Sequence, residues 1–154
     1  MPKPILVAAS LLLSLAASSA MSQEMTLLFH NGSRTLFTKS EKGQVEIRYE
    51  TPRPGLPVTE GALLFSGRAD ANGSYTGTAY TFKRGCEPAP YSVAGKEAGP
   101  GIILVGIAPR RDHSSCAIVG DTLVGKHTKL IFEYEMEEPD PSVPFGSKAA
   151  VTRQ

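Results

Sequence analysis

Apolar and polar residues alternate in short bursts along most of this chain. Val45, Ile47 and Tyr49 interleave with Glu46, Arg48 and Glu50, the period of two that sends successive side chains to opposite faces of a strand. Leu130, Phe132 and Tyr134 repeat the pattern against Ile131, Glu133 and Glu135. Residue pairs that tolerate positive φ separate the bursts. Asn31-Gly32 lies between residues 26–30 and 33–38, and Asn72-Gly73 between residues 62–69 and 74–82. Each spacing predicts a tight hairpin. Lys42-Gly43 predicts another turn before Gln44, and further strands are expected at residues 90–94, 102–107 and 115–120. No stretch carries the period of a long amphipathic helix. Eight or nine short strands predict an all-β fold, a small antiparallel barrel, with a sandwich as the alternative. Closure leaves no unpaired edge, which favours the barrel.

Two stretches break this rhythm. Thr51-Pro52-Arg53-Pro54-Gly55-Leu56-Pro57 contains three prolines and cannot supply a regular ladder of amide donors. It is expected to cross the surface as an extended, stiff connection. From about residue 137 onward the chain is polar and proline-bearing, with Phe145 its one large apolar residue. Residues 138–154 read as a disordered tail.

The first twenty residues obey a different rule. Lys3 precedes an apolar run from Ile5 to Ala17 interrupted by Ser10 and Ser14, and Ser18-Ser19-Ala20 follows. This is the layout of a cleavable secretory signal peptide, with small residues at the third and first positions before the cut. The run is too short to cross roughly 30 Å of hydrocarbon. No cysteine stands near the cut, which argues against a lipid anchor. Cleavage is expected after Ala20, with a cut after Ser22 as the near alternative. The chain then divides into a signal peptide at 1–20, a β domain at 21–137 and a tail at 138–154.

Processing removes Lys3 and no acid, so sixteen basic residues become fifteen against fifteen acidic ones. A domain without basic excess has no global electrostatic reason to bind nucleic acid or an anionic membrane. Lys83-Arg84, Arg110-Arg111 and the acidic stretch from Glu133 to Asp140 read as solvated faces. The chain has two cysteines, Cys86 and Cys116. An even count in an exported chain predicts a disulfide. A catalytic thiol or a metal pair is the competing reading, and no C-x-x-C spacing supports either.

Catalytic motifs are sparse. His30, His113 and His127 are far apart and fit no zinc spacing such as H-E-x-x-H. Arg110-Arg111-Asp112-His113-Ser114-Ser115 gathers charge, imidazole and hydroxyl, but triad members meet through the fold rather than as sequence neighbours. No G-x-S-x-G elbow is present. Gly99-Pro100-Gly101 lacks the lysine and helix of a phosphate loop. No catalytic residue, metal or cofactor is expected. The segment Gly73-Ser74-Tyr75-Thr76-Gly77-Thr78-Ala79-Tyr80-Thr81-Phe82 places Tyr75, Gly77 and Ala79 on one face and Thr76, Thr78, Tyr80 and Phe82 on the other. One face must be core. The alternatives are a bend or close packing at Gly77, or a polar aromatic surface for a ligand.

Several runs resemble a group of small exported proteins of Gram-negative bacteria: His30-Asn31-Gly32-Ser33, Tyr49 to Leu56, Leu64-Phe65-Ser66-Gly67 and Gly77-Thr78-Ala79-Tyr80-Thr81-Phe82. The resemblance implies a periplasmic location and no particular activity. Gly73-Ser74-Tyr75 is similar to a stretch of the periplasmic inhibitors of C-type lysozyme. That similarity implies a disulfide-bearing eight-stranded barrel. Ser74 stands where those inhibitors carry a basic residue.

These readings converge on a periplasmic or secreted, non-enzymatic binding domain whose partner is an envelope or host protein or a glycan. An envelope hydrolase and a stress-protective structural protein are the alternatives. The candidate binding residues are Arg53, Arg110, Arg111 and His113. Arg53 is stiffened between two prolines and would lose little ordering entropy on association. Arg110-Arg111 follows Pro109 and offers two guanidinium forks for carboxylates. Both basic segments are expected in loops.

Overall fold

A computed structural model describes residues 22–135. The expected signal peptide at 1–20 and the expected tail at 138–154 lie outside the described residues. Ten strands occur in this order: β1 (Gln23–His30), β2 (Ser33–Ser40), β3 (Gln44–Thr51), β4 (Leu63–Ala69), β5 (Ser74–Thr81), β6 (Ala89–Ala98), β7 (Gly101–Gly106), β8 (Ala108–Arg111), β9 (Ile118–Thr122) and β10 (Lys129–Tyr134). Eight close into an antiparallel barrel, ordered β1-β10-β7-β6-β5-β4-β3-β2, and β8 and β9 form a separate two-stranded ribbon. Closure leaves neither β1 nor β10 with an open edge, because β1 pairs with both β10 and β2. Every barrel connection joins neighbouring antiparallel strands, the one from β7 to β10 by way of the ribbon, so alternate connections share one end of the barrel.

The inward positions follow the period of two. Leu28 and His30 on β1, Phe37 on β2, Val45, Ile47 and Tyr49 on β3, Tyr91 and Val93 on β6, and Leu130 and Phe132 on β10 are all buried. On β4 the register shifts beside Ile47 and Arg48. This bulge lets both Leu64 and Phe65 face the core. Tyr75 and Ala79 form the buried face of β5, so Gly77 lies inside the barrel. A Cβ on Gly77 would stand 2.8 Å from the Phe65 ring and 2.2 Å from the Ser66 carbonyl oxygen. Gly67, which pairs with Gly77 across the strands, has equally little room, at 2.8 Å from the same ring. Close packing therefore accounts for this glycine pair.

The turns show where local chemistry decided the outcome. Asn31 and Gly32 both take positive φ, 47° and 77°, the combination a two-residue hairpin needs. At Asn72-Gly73 only Gly73 does so. There the Asp70 carboxylate accepts from the amides of Asn72 and Ser74 at 2.8 and 2.9 Å and widens the turn. The proline segment is not an extended crossing. Leu56 N–H donates to the Arg53 carbonyl and Gly55 has φ 82°, so Pro54 and Gly55 occupy the central positions of a type II turn. That turn folds Leu56 and Val58 back against the core.

Arg110 and Arg111 lie on a strand, β8, not in the expected loop. Pro109 is tolerated there because β8 pairs on one side, with β9. The strand expected at 115–120 begins later, at Ile118. Asp112 Oδ1 accepts from Ser114 N, Ser114 Oγ and Ser115 N, at 3.0, 2.9 and 2.8 Å. This arrangement holds the preceding residues in a turn.

Cys86 and Cys116 form the expected disulfide, with α-carbons 5.5 Å apart. It ties the connection between β5 and β6 to the turn of the ribbon. Lys83 reinforces the junction by donating to the carbonyl oxygens of Asp112, His113 and Ser115 at 2.7, 2.9 and 2.6 Å. Arg111 adds bonds to the carbonyls of Cys116, at 3.0 Å, and Glu87.

Candidate binding site

The connections after β1, β3, β5 and β7 share one end of the barrel, and that end is hollow. A cavity of about 200 Å³ lies there. Its walls include Asn31 and Ser33 from the first turn, Tyr49 from β3, Arg53, Gly55, Leu56 and Pro57 from the type II turn, and Lys126 and His127 ahead of β10. Leu64, Phe82 and Leu130 supply apolar walls, and Tyr80 adds a further phenol. No aspartate or glutamate is among these residues.

Several of the polar wall residues are set in place by their local structure. The Ser33 hydroxyl, buried at 1 % exposure, accepts from the Arg53 amide at 2.9 Å. The start of the type II turn is thereby pinned to β2, and the aliphatic stem of Arg53 lies over Gly32. Asn31, held at positive φ, donates its amide to His30 Nε2 at 3.1 Å. His30 Nδ1–H donates in turn to the Ile131 carbonyl at 2.8 Å, and its ring stacks on Phe132 with centroids 4.6 Å apart. Both imidazole nitrogens are occupied, and the ring is neutral with its proton on Nδ1. The Tyr49 ring meets Phe82 edge-on, with centroids 5.9 Å apart.

Three polar groups at this end have no partner among the described residues. The guanidinium of Arg53, the ammonium of Lys126 and the hydroxyl of Tyr49 enter no hydrogen bond there, and the arginine and lysine form no ion pair; the ion pairs present belong to Arg34 and Arg48. Tyr49 is 96 % buried (4 % exposed). Burial pushes its hydroxyl up to about 12, with nearby Arg53 opposing the rise. The hydroxyl therefore stays protonated and able to donate.

His30 is held below its ordinary range, chiefly by burial; the bond to Ile131 opposes this, and His127 and Arg53 add to it. His127 is lowered by desolvation and then by Lys126. An unfolded chain takes up protons at these imidazoles near 6.5, whereas the folded one resists until a lower pH. The unfolded state then binds more protons, so stability falls as pH drops below that value. We expect a melting temperature that is flat from pH 8 to 7 and declines between about 6.5 and 5. The His30→Gln variant should show a shallower decline, and His30→Gln/His127→Gln a shallower one still. Asp112, lowered to about 2 by its bonds to Ser114 and Ser115, acts in a separate window below about 4. An unchanged slope in both glutamine variants would refute the assignment.

The candidate binding residues read from sequence do not gather at one point. Arg53 lines the cavity. Arg111 and His113 line a neighbouring depression that meets the cavity at His127 and Phe82. Arg110 is exposed on β8 and lines neither. Arg111 is committed to two backbone carbonyls. Asp112 serves its own turn through Ser114 and Ser115, and His113 is exposed beside it. Tyr75, of the Gly73-Ser74-Tyr75 similarity, is buried at 1 % exposure and donates its hydroxyl to Glu97 at 2.8 Å. Among the described residues, no three His, Cys, Asp or Glu side chains cluster as metal ligands would.

Tyr49, Lys126 and His127 were not candidates from sequence, although one signal was available. In a chain of neighbouring antiparallel strands every second connection lies at the same end. The residues flanking Asn31-Gly32, Pro54-Gly55 and Gly125 are therefore brought together despite their separation. No family model, curated protein or solved structure matches this chain.

Proposed function

We propose that this chain is an exported, periplasmic binding domain without catalytic activity, which takes its partner at the hollow end of the barrel. The observation that carries this reading is the cavity itself. Its wall presents the exposed side chains of Arg53 and Lys126 and the hydroxyl of Tyr49, none of them bonded to another described residue and all free to meet a ligand. Concave sites with an apolar wall and a few converging polar groups are the common form of a ligand site. The occupied nitrogens of His30 and the self-satisfied Asp112 favour binding over hydrolysis, since each is already held by neighbours. The Cys86–Cys116 bridge is compatible with an oxidising, exported environment. Arg110 and His113, exposed on the ribbon and its turn, supply outer contacts to a partner larger than the cavity.

The test compares two immobilised proteins, the processed wild type and an Arg53→Ala/Lys126→Ala variant. Both are exposed to periplasmic extract and to a panel of envelope glycans. At least one species should be retained by the wild type and lost by the variant. Equal retention by both, or none by the wild type, overturns the reading. Arg111 is left intact because its bonds brace the disulfide junction.

A further inference from the structure

We infer that the hollow end of the barrel recognises an oxyanion carried on a sugar, so that the ligand class is an acidic glycan. The inference rests on the binding reading above and names what that site takes. Three observations point the same way. Arg53 and Lys126 bring two cationic side chains to one cavity whose walls contain no carboxylate among the described residues. Two arginines of the barrel strands are matched by carboxylates, Arg34 with Glu50 and Glu135 and Arg48 with Glu46, whereas Arg53 has no such neighbour among the described residues. Second, Tyr49 is a buried residue lining the cavity, and its hydroxyl is held protonated with no partner among the described residues. A donor in that state is satisfied by an acceptor from outside, and an anionic oxygen is the strongest acceptor available. Third, Ser33 fixes the backbone of Arg53 and Pro54-Gly55 fixes the turn beyond it. The guanidinium fork is thus carried on preorganised backbone.

The size and lining of the cavity select the carrier. At about 200 Å³ it is smaller than the roughly 300–1,000 Å³ that enclose a drug-sized ligand. It admits one charged ring or terminal group while the rest of the ligand stays outside. The remaining wall mixes the phenol of Tyr80, the amide of Asn31 and the apolar faces of Phe82, Leu56 and Leu64. Hydroxyl-bonding groups interleaved with apolar faces match a sugar ring, which has polar edges and apolar C–H faces. A flat, largely apolar protein surface would not use this arrangement. The oxyanion is either a uronic-type carboxylate or a sugar phosphate, and the probes separate the two.

The experiment is a titration of isotope-labelled processed protein, followed by amide chemical shifts, with four probes: glucuronate, glucose 6-phosphate, glucose and a short acetylated glutamate peptide. Glucuronate or glucose 6-phosphate should shift the amides of Asn31, Arg53, Lys126 and His127 and bind at least tenfold more tightly than glucose. Affinity should fall with added salt, as screening of exposed charges requires. Arg53→Ala/Lys126→Ala should lose at least tenfold. Tyr49→Phe should lose about three- to tenfold while its melting temperature stays at or above the wild-type value, because the hydroxyl bonds to nothing internal. A hydroxyl with a purely structural role would leave the affinity unchanged. Equal binding of glucose and glucuronate overturns the anion assignment and leaves the binding site standing. Tighter binding of the peptide overturns the glycan assignment in favour of an acidic protein. Shifts confined to other surfaces, or none with any probe, overturn the inference, while retention in the capture experiment judges the broader reading separately.

Discussion

Protein carrying Cys86→Ser and Cys116→Ser will melt roughly 12–16 °C below the wild type. The bridge closes a loop of about 31 residues, for which the chain-entropy model gives roughly 3–4 kcal/mol of constraint on the unfolded chain. At about 4 °C per kcal/mol for a domain of this size, the shift follows. The structure adds a spatial expectation. Strands β1–β7 and β10 pair without the bridge, whereas the ribbon is joined to the β5–β6 connection by the bridge, Lys83 and Arg111. Amide exchange in the reduced variant should therefore accelerate first at residues 108–122 and 82–88, with the barrel strands slower to respond. A loss below about 1 kcal/mol, or an even acceleration across all strands, would show that the bridge is not the main tie of the ribbon.

The second large effect concerns the glycine pair under Phe65. Phe65 is fully buried, and Phe65→Ala should cost about 3–5 kcal/mol through lost burial and the cavity left behind. Gly77→Ala forces a methyl against that ring and against the Ser66 carbonyl oxygen, and should cost about 3 kcal/mol, at the upper end for overpacking. The two losses will not add. With the ring removed, one of the three close contacts is gone while those to the Ser66 carbonyl oxygen and the Gly67 α-carbon remain, so Gly77→Ala should cost about 1 kcal/mol less in the Phe65→Ala background than in the wild type. Urea denaturation of the four proteins of this cycle measures the coupling. Strict additivity would mean that the ring is not what requires glycine at this position.

Much of the barrel was legible because its signal is local. The alternation at Val45, Ile47 and Tyr49 and at Leu130, Phe132 and Tyr134 reports which face of each strand is buried, and burial of alternate residues is what a half-buried strand is. The Asn31-Gly32 hairpin was equally plain, since few residue pairs tolerate two positive φ angles. The errors lie where a side chain competed for the backbone. Asp112 took donors from Ser114 and from Ser115, where a strand was expected to begin, and Pro54-Gly55 bent a segment expected to run straight. Arg110 and Arg111 were expected in a loop, and a Pro109 beside them would count against a strand paired on both sides. A ribbon paired on one side removes that objection.

The candidate site was harder to read for a different reason. Arg53 could be singled out from its flanking prolines, but its neighbours Tyr49, Lys126 and His127 had no local mark. Tyr49 looked like one more inward residue of a strand, and His127 like a residue beside a turn.

The sequence by itself determined the eight barrel strands, most of their buried faces, most of the turns and the cysteine pairing, because these depend on residues a few positions apart or on a count of two. Only the tertiary structure decided that the barrel closes through β1 and β10, that Gly67 and Gly77 meet beneath one ring, and that unpaired Arg53, Lys126 and Tyr49 face one hollow. Each of these joins residues far apart in the chain. Their meeting is fixed by register and closure summed over the whole barrel, which no short window of sequence contains.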